Sequence, residues 1–178
     1  MRAEAPMNAL NDIRSPSETS QVTPQRFRDV LGAFATGVTI MTARGPDGAR
    51  VGCTASSFNT VSLEPPLVLW SLGLRAASLA VFRATDHFGV SILAEDQRDL
   101  ALHFARPAED KFAGIAIREG SHGVPLISGA LAHLECRIVA RYAGGDHEIM
   151  LGEVLDLERR DGAPLVYHRG GFHGLRGL

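Results

Sequence analysis

Residues 52–66 read GCTASSFNTVSLEPP, and this stretch separates two runs of strand character. The run before it, residues 38–43, is rich in β-branched side chains, and the run after it, residues 67–72, is apolar. Small side chains in the first half allow a ligand to approach the backbone. The N–H groups there and the hydroxyls of Thr54, Ser56 and Ser57 are donors suited to a phosphate or the polar edge of a ring. The same composition also suits a polar connection between strands that binds nothing.

The patterns on either side predict a mainly β protein with a few helices (α+β). A helix is predicted from Thr23-Pro24, an N-cap followed by proline, and from the apolar spacing at residues 27, 30, 31 and 34. A Gly-Pro-Asp-Gly turn at residues 45–48 predicts a hairpin of residues 38–43 with 50–54. Strands are also predicted at residues 88–93, 131–142 and 148–157, with a last one at Leu165–His168. Six or seven strands without regular β-α-β alternation favour an antiparallel barrel over a doubly wound sheet.

Length and composition indicate one globular domain. Residues 23–178 are predicted to form it, after a flexible tail at residues 1–22 that is rich in Ala, Ser and Pro without periodicity. A net charge of -2 argues against a nucleic-acid binder, and no apolar run approaches the ~18 residues of a membrane span. With only two cysteines, in different motifs and without a signal peptide, we expect a protein of the reducing cytoplasm.

Several common sites are missing from the sequence. No Gly-x-Gly-x-x-Gly lies between a strand and a helix, no phosphate loop or nucleophile elbow occurs, and no Cys-x-x-Cys or His-x-x-x-His is present. Because the seven histidines are dispersed, we expect no metal site.

Four motifs, in order along the chain, resemble the flavin reductase family, the small reductase components of two-component flavin-dependent monooxygenases. The first is Gly-x-Thr-Ala-x-Ser-Phe followed by Ser-Leu-x-Pro-Pro-Leu-Val-Leu, at residues 52–69. The others are Asp-Lys-Phe-Ala-Gly at 110–114, Gly-Asp-His at 145–147 with Gly-Glu-Val at 152–154, and Tyr-His-Arg-Gly-Gly-Phe at 167–172. The resemblance covers about residues 27–174, and a chance match of four ordered motifs is much less expected than a match of one.

The resemblance implies an FMN-binding split β-barrel that reduces FMN or FAD with NADH, or with NADPH, and supplies the reduced flavin to a partner monooxygenase. It also implies a homodimer with sites near the subunit interface. The flavin contacts it implies are Gly52, Cys53, Thr54, Ala55, Ser56, Ser57, Trp70, Ser71, Leu72, Ala77, Ser78, Lys111 and Phe112. Ala77 and Ser78, at a predicted helix start, suit the phosphate, to which Arg75 could add charge, and Cys53 also reads as a small buried filler.

For the nicotinamide nucleotide, the resemblance implies contacts from His147, Tyr167, His168, Arg169 and Gly170. His147 takes the catalytic position, where a donor would orient the carboxamide. Three alternatives remain open: a flavoprotein that retains FMN for electron transfer, an oxidase of a small substrate such as a pyridoxine phosphate, and a flavin-binding module without turnover. Because the flavin carries the redox chemistry, no acid–base residue is strictly required in any of them.

Overall fold

The computed structural model describes residues 22–175 of the chain. The predicted tail, residues 1–22, lies outside this range except for Val22, so its flexibility remains a prediction. No helix within the described range is long and apolar enough to cross a membrane.

Three α-helices and twelve strands follow one another along the described chain. The helices are α1 (Pro24–Leu31), α2 (Leu79–Ala84) and α3 (Arg98–Ala105), and a 3₁₀ turn at Glu95–Gln97 leads into α3. The strands are β1 (Thr36–Gly37), β2 (Thr39–Arg44), β3 (Arg50–Ala55), β4 (Asn59–Leu63), β5 (Pro66–Gly73), β6 (His87–Ile92), β7 (Ile117–Glu119), β8 (Pro125–Ile127), β9 (Ala132–Gly144), β10 (His147–Arg159), β11 (Leu165–His168) and β12 (Gly171–Gly174).

A seven-stranded antiparallel sheet forms the body, in the order β3-β2-β6-β9-β10-β5-β4. The prediction of a mainly β, antiparallel fold is confirmed, and so is the hairpin of β2 with β3. The two end strands, β3 and β4, are not joined by a ladder, so hydrogen bonding does not close the sheet into a full barrel. Two smaller sheets, β1-β11-β12 and β7-β8, complete the β structure of the described residues.

Apolar side chains fill the inside of the curved sheet. Trp70 of β5 lies at the centre, fully buried, with its ring centroid 5.0 Å from that of Phe82 on α2 and 6.0 Å from that of Phe88 on β6. A second apolar cluster lies outside β2 and β3, where Phe104 of α3 and Phe112 pack edge to face at 5.3 Å. Helix α3 and the loop after it are therefore held against the back of β3.

The outer face of β2, β6 and β9 is polar and yet buried, because the β7–β8 hairpin covers it. Its buried polar side chains are Thr42, Ser91, His133 and Glu135. The Ile127 N–H donates to Ser91 Oγ at 3.0 Å, and Glu135 accepts the N–H groups of Ser121 and His122 at 2.9 and 2.8 Å. These bonds satisfy the buried groups and fix the hairpin that follows the loop carrying Lys111.

The strand prediction was wrong at the C-terminus, where Leu165–His168 is not the last strand. The chain turns at Arg169 and Gly170, whose φ angles are 48° and 78°, and returns as β12. Both central residues of this two-residue loop have positive φ, as in a type I′ hairpin turn. Because β12 contains two glycines and one large apolar residue, it carries no visible alternation. The strands β1, β4, β7 and β8 were not predicted either, because two to five residues are too few to show a clear alternation.

Candidate functional site

The free edge of β3 provides main-chain groups for a site. Gly52 O accepts a hydrogen bond from Lys111 Nζ at 3.1 Å, so it points away from β2. In an antiparallel strand the N–H and C=O of one residue point to the same side, so the Gly52 N–H also faces outward. Glycine is needed at position 52 for packing, because a Cβ there would lie only 2.8 Å from the Phe104 ring.

A cavity of about 510 Å³ lies along this edge. Three segments wall it: β3, the turn at residues 75–78 and the loop at residues 104–111. Lys111 Nζ donates to Gly52 O and, at 2.8 Å, to Phe104 O, which joins two of these walls. An ammonium group has three donors, so one remains for a ligand. Burial lowers the pKa of Lys111 below its ordinary 10.5, and an anion in the cavity would restore it.

Positive charge dominates the lining of this first cavity. Besides Lys111 it contains Arg50, Arg75 and Arg106, whereas the carboxylate in the lining is Glu109. The Arg50 guanidinium lies 5.4 Å from the centroid of the Phe112 ring, a cation–π distance. Among the described residues no carboxylate lies within 4.0 Å of any of the three guanidinium groups. The cavity is therefore suited to an anionic ligand such as a phosphate.

A second cavity, of about 790 Å³, lies between α1, the β11–β12 turn and the end of β3. It is lined by Phe27, Arg28, Asp29, Leu31, Gly32, Phe34, Thr36, Ser56, Tyr167, His168, Arg169 and Gly170. Arg169 occupies the left-handed region, and its N–H donates to Gly32 O at 2.9 Å, which ties the turn to the end of α1. Thr36 Oγ1 is buried and has no hydrogen-bond partner among the described residues.

The segment 52–57 joins the two cavities. Thr54 lines the first and Ser56 lines the second. Ser57 Oγ accepts the Ser71 N–H at 3.0 Å and donates to Ser71 O at 3.2 Å, so a side chain continues the contact between this segment and β5. Ligands in the two cavities would meet beside residues 54–57.

His147 of β10 is paired with Gly73 of β5, two residues after Ser71. Its Nδ1 lies 2.7 Å from Asp146 Oδ1, and this bond lowers the pKa of Asp146. With Nδ1–H donating to the carboxylate, Nε2 is left as the free nitrogen of the ring. The side chain is 48% exposed and is not part of the lining of either cavity. The predicted contact of His147 with a nicotinamide therefore stays a prediction.

The predicted flavin contacts on β5 point to two different sides of the strand. Alternation along the strand turns the side chains of Trp70 and Leu72 into the core, where they are 0% and 5% exposed, and only Ser71 points the other way. Phe112 is likewise 4% exposed. The side chains of these three residues are therefore buried in the protein, and their predicted contact with a flavin, which would involve main-chain atoms, stays a prediction.

Cys53 lines the first cavity, with the Ser78 hydroxyl close to its thiol. Burial raises its pKa to about 11, outweighing the opposite effect of Lys111, so the group stays a protonated thiol at neutral pH. Ala77 and Ser78 line the same cavity, but Ser78 makes no side-chain capping bond to α2. No three His, Cys, Asp or Glu side chains in residues 22–175 form a group that could hold a metal ion.

Two cationic residues of the first cavity were not recognised from the sequence. Arg50 stands two residues before Gly52, so strand periodicity alone could have placed it on the same side as Gly52. Arg106 reaches the cavity only because Phe104 packs against β3, and no local pattern signals that contact. Thr36 and the α1 residues of the second cavity were missed for the same reason.

The fold and both cavities define a nucleotide-binding split-barrel protein, and the chain belongs to the flavin reductase family. The model of the flavin reductase like domain matches residues 31–176. The FMN reductase (NADH) SmoA of Agrobacterium fabrum is 41% identical, over 93% of this chain and 97% of its own length. The reductase component of a 4-nitrophenol 4-monooxygenase/4-nitrocatechol 2-monooxygenase from Rhodococcus opacus is 44% identical, over 92% and 87%.

A solved structure gives the same assignment. The NADH:FAD oxidoreductase SgcE6 of Streptomyces globisporus, in complex with NAD and FAD fragments, superposes with a TM-score of 0.82 at 40% identity. The match covers 88% of this chain and 97% of that one.

Proposed function

We propose that this protein is an NADH-dependent flavin reductase that transfers a hydride to FMN or FAD and supplies the reduced flavin to a partner monooxygenase. The observation that carries the proposal is the segment 52–57, which joins a cationic cavity to a second, larger one. Two nucleotides can therefore approach each other at one strand. The relatives named above, an NADH-dependent FMN reductase and a monooxygenase reductase component, support the same reaction for this chain.

The first cavity suits the flavin. Lys111 offers a donor to the phosphate, the outward groups of Gly52 and Thr54 flank the ribityl chain, and the segment around Ser56 and Ser57 flanks the ring. Flavin accepts a hydride at N5 from nicotinamide C4, and the protein's task is to hold these atoms about 3–3.5 Å apart. The neutral Cys53 thiol adds apolar contact without nucleophilic reactivity.

The second cavity suits the nicotinamide nucleotide. Arg28 and Arg169 can pair with its phosphates, and the unpartnered Thr36 hydroxyl can bond to the ribose. His147, held by Asp146, would extend from β10 beyond the two cavities and orient the nicotinamide carboxamide. NADPH would need partners for one more phosphate, and the names of the relatives favour NADH.

The described surface also supports the proposed homodimer. Helix α1 buries none of its side chains within the subunit, and the apolar residues Phe27, Val30, Leu31 and Phe34 are 54%, 64%, 53% and 74% exposed. A second copy of the chain would cover this face, and because Phe27, Leu31 and Phe34 also line the second cavity, that cavity would then lie at the subunit interface. We place the protein in the cytoplasm, where NADH is available and where the free thiols of Cys53 and Cys136 stay reduced.

The deciding experiment follows NADH absorbance with purified protein, with and without added FMN or FAD. We expect flavin-dependent NADH oxidation and a reduced flavin that leaves the protein on gel filtration under anaerobic conditions. A yellow protein that keeps its flavin on dilution would favour the retained-flavin alternative. Flavin binding without NADH oxidation, in protein with a cooperative thermal melt, would refute the reductase assignment.

A further inference from the structure

Lys111 supplies one fixed positive charge to the first cavity. Its ammonium group is fixed by Gly52 O on one side and by Phe104 O on the other. The side chain is partly buried, and burial lowers its pKa. The one remaining N–H donor of Lys111 can bind one phosphate. Lys111 therefore accounts for one anionic group of the ligand and no more.

Two exposed arginines extend the cationic surface beyond this point. Arg50 lies two residues from Gly52 on β3, and Arg106 lies two residues from Phe104 at the end of α3. Each is thus two residues along the chain from a carbonyl that accepts a hydrogen bond from Lys111, and both line the same cavity. The Arg50 guanidinium packs against the Phe112 ring, whereas the Arg106 guanidinium makes no hydrogen bond or ion pair within the described chain. Neither arginine is needed to bind the phosphate that Lys111 contacts.

The order of groups along β3 gives the direction of the ligand. Ser56 lies at the second cavity, Thr54 and Gly52 follow along the first, and Arg50 comes last. At about 3.3 Å per residue, Arg50 lies roughly 6–7 Å beyond Gly52. A flavin with its ring near Ser56 and its phosphate at Lys111 therefore points its far end toward Arg50.

We propose that Arg50 and Arg106 bind a second phosphate beyond Lys111, and that FAD rather than FMN is the preferred flavin. FMN ends at the phosphate that Lys111 binds, whereas FAD carries a second phosphate in the outward direction. A guanidinium group can donate two parallel hydrogen bonds to two oxygens of one phosphate. Arg50 and Arg106 are therefore suited to the second phosphate of FAD. The proposal rests on the proposed function, because that function sets the direction of the flavin along β3.

The test compares FAD with FMN in the wild-type protein and in the variants Arg50→Gln and Arg106→Gln. Steady-state NADH oxidation gives kcat/KM for each flavin, and quenching of flavin fluorescence gives Kd without NADH. We expect the wild type to prefer FAD, and each variant to lower the FAD-to-FMN ratio of kcat/KM by about three- to tenfold. Arg98→Gln is the matched control, because Arg98 is an exposed arginine of α3 outside the cavity lining and should leave the ratio unchanged.

Equal losses for both flavins would overturn the proposal, since the arginines would then act on a shared group or through general charge. An unchanged ratio in both variants, or a wild type that prefers FMN, would also overturn it. Failure of the reductase function has a different signature. In that case neither flavin supports NADH oxidation, while the Kd values still reveal whether a preference for FAD exists and whether Arg50→Gln removes it.

Discussion

Lys111 offers the sharpest test of the flavin site, through the variant Lys111→Met. Its Nζ joins Gly52 O at 3.1 Å to Phe104 O at 2.8 Å and keeps one donor for a ligand phosphate. Methionine has similar length without charge or donors, so the change removes both roles of the ammonium group and keeps the apolar stem. The question is how much of the loss appears in ligand binding and how much in stability.

The structure sets both magnitudes. A hydrogen bond to a charged group contributes about 1.5–3 kcal/mol, and the half-open position of Lys111 favours the low end, so FMN should bind about tenfold more weakly. Two bonds from the same charged group to carbonyl oxygens are also lost, at about 1.5 kcal/mol each. The variant also loses the desolvation penalty of the partly buried ammonium group, which offsets part of that cost. A net loss of about 1 kcal/mol corresponds to a Tm lower by about 2–4 °C.

Riboflavin separates the two roles, because it has the ring and ribityl chain of FMN and lacks the phosphate. Fluorescence titrations of wild type and Lys111→Met with both ligands should show a Kd for FMN that rises about tenfold and a Kd for riboflavin that stays nearly constant. A thermal melt of each protein accompanies them. Equal loss for both ligands would mean that Lys111 only ties β3 to α3, and the phosphate assignment would then be wrong.

Three other changes test separate parts of the site and fold. His147→Ala should lower kcat/KM for NADH about three- to tenfold at saturating flavin, the value of one hydrogen bond, with little change in flavin Kd. Ser57→Tyr should weaken flavin binding in fluorescence titrations, because it fills the junction of the cavities and removes both bonds to Ser71. Glu135→Gln should lower the Tm at pH 7 and lower it less at pH 3. Burial raises the pKa of Glu135, but hydrogen bonds from His122 and Ser121 outweigh it and hold the pKa below the ordinary 4.5. The stabilisation is therefore present above pH 4.5 and is lost as the pH falls through the folded-state pKa.

Each of these variants has an outcome that counts against its reasoning. A lower Tm for His147→Ala with unchanged kinetics would make His147 a turn residue held by Asp146. Wild-type flavin affinity in a well-folded Ser57→Tyr would remove the junction from the site. A Tm difference for Glu135→Gln that stays constant from pH 7 to pH 3 would show that the carboxylate charge does not hold the β7–β8 hairpin.

Local signals in the sequence predicted local structure well. Thr23 does cap α1, accepting the Arg26 N–H at 3.2 Å, and the long alternating runs became β9 and β10. The inward face of β5 could not be predicted, because Leu67 and Leu69 on one face are as apolar as Trp70 and Leu72 on the other. A strand that is apolar on both sides does not reveal which side meets the core.

The site was predicted where it follows one strand and was missed where distant segments meet. Residues 52–57 form a continuous piece, so their composition was enough to mark them. Arg106 lines the same cavity through the packing of α3 on β3, and the second cavity needs α1 beside the β11–β12 turn. Neither contact leaves a pattern in the neighbouring residues, because both are set by tertiary packing.

The position of Trp70 gives the protein a convenient optical property. It is the chain's single tryptophan and it is fully buried beside Phe82 and Phe88, so its emission should be that of an indole in an apolar environment and should shift to the red only on unfolding. A flavin bound in the first cavity would not touch the indole, because Trp70 is fully buried and does not line that cavity. It can quench that emission by resonance energy transfer, which lowers intensity without moving the wavelength. The emission wavelength of Trp70 thus reports unfolding, and its emission intensity reports ligand occupancy.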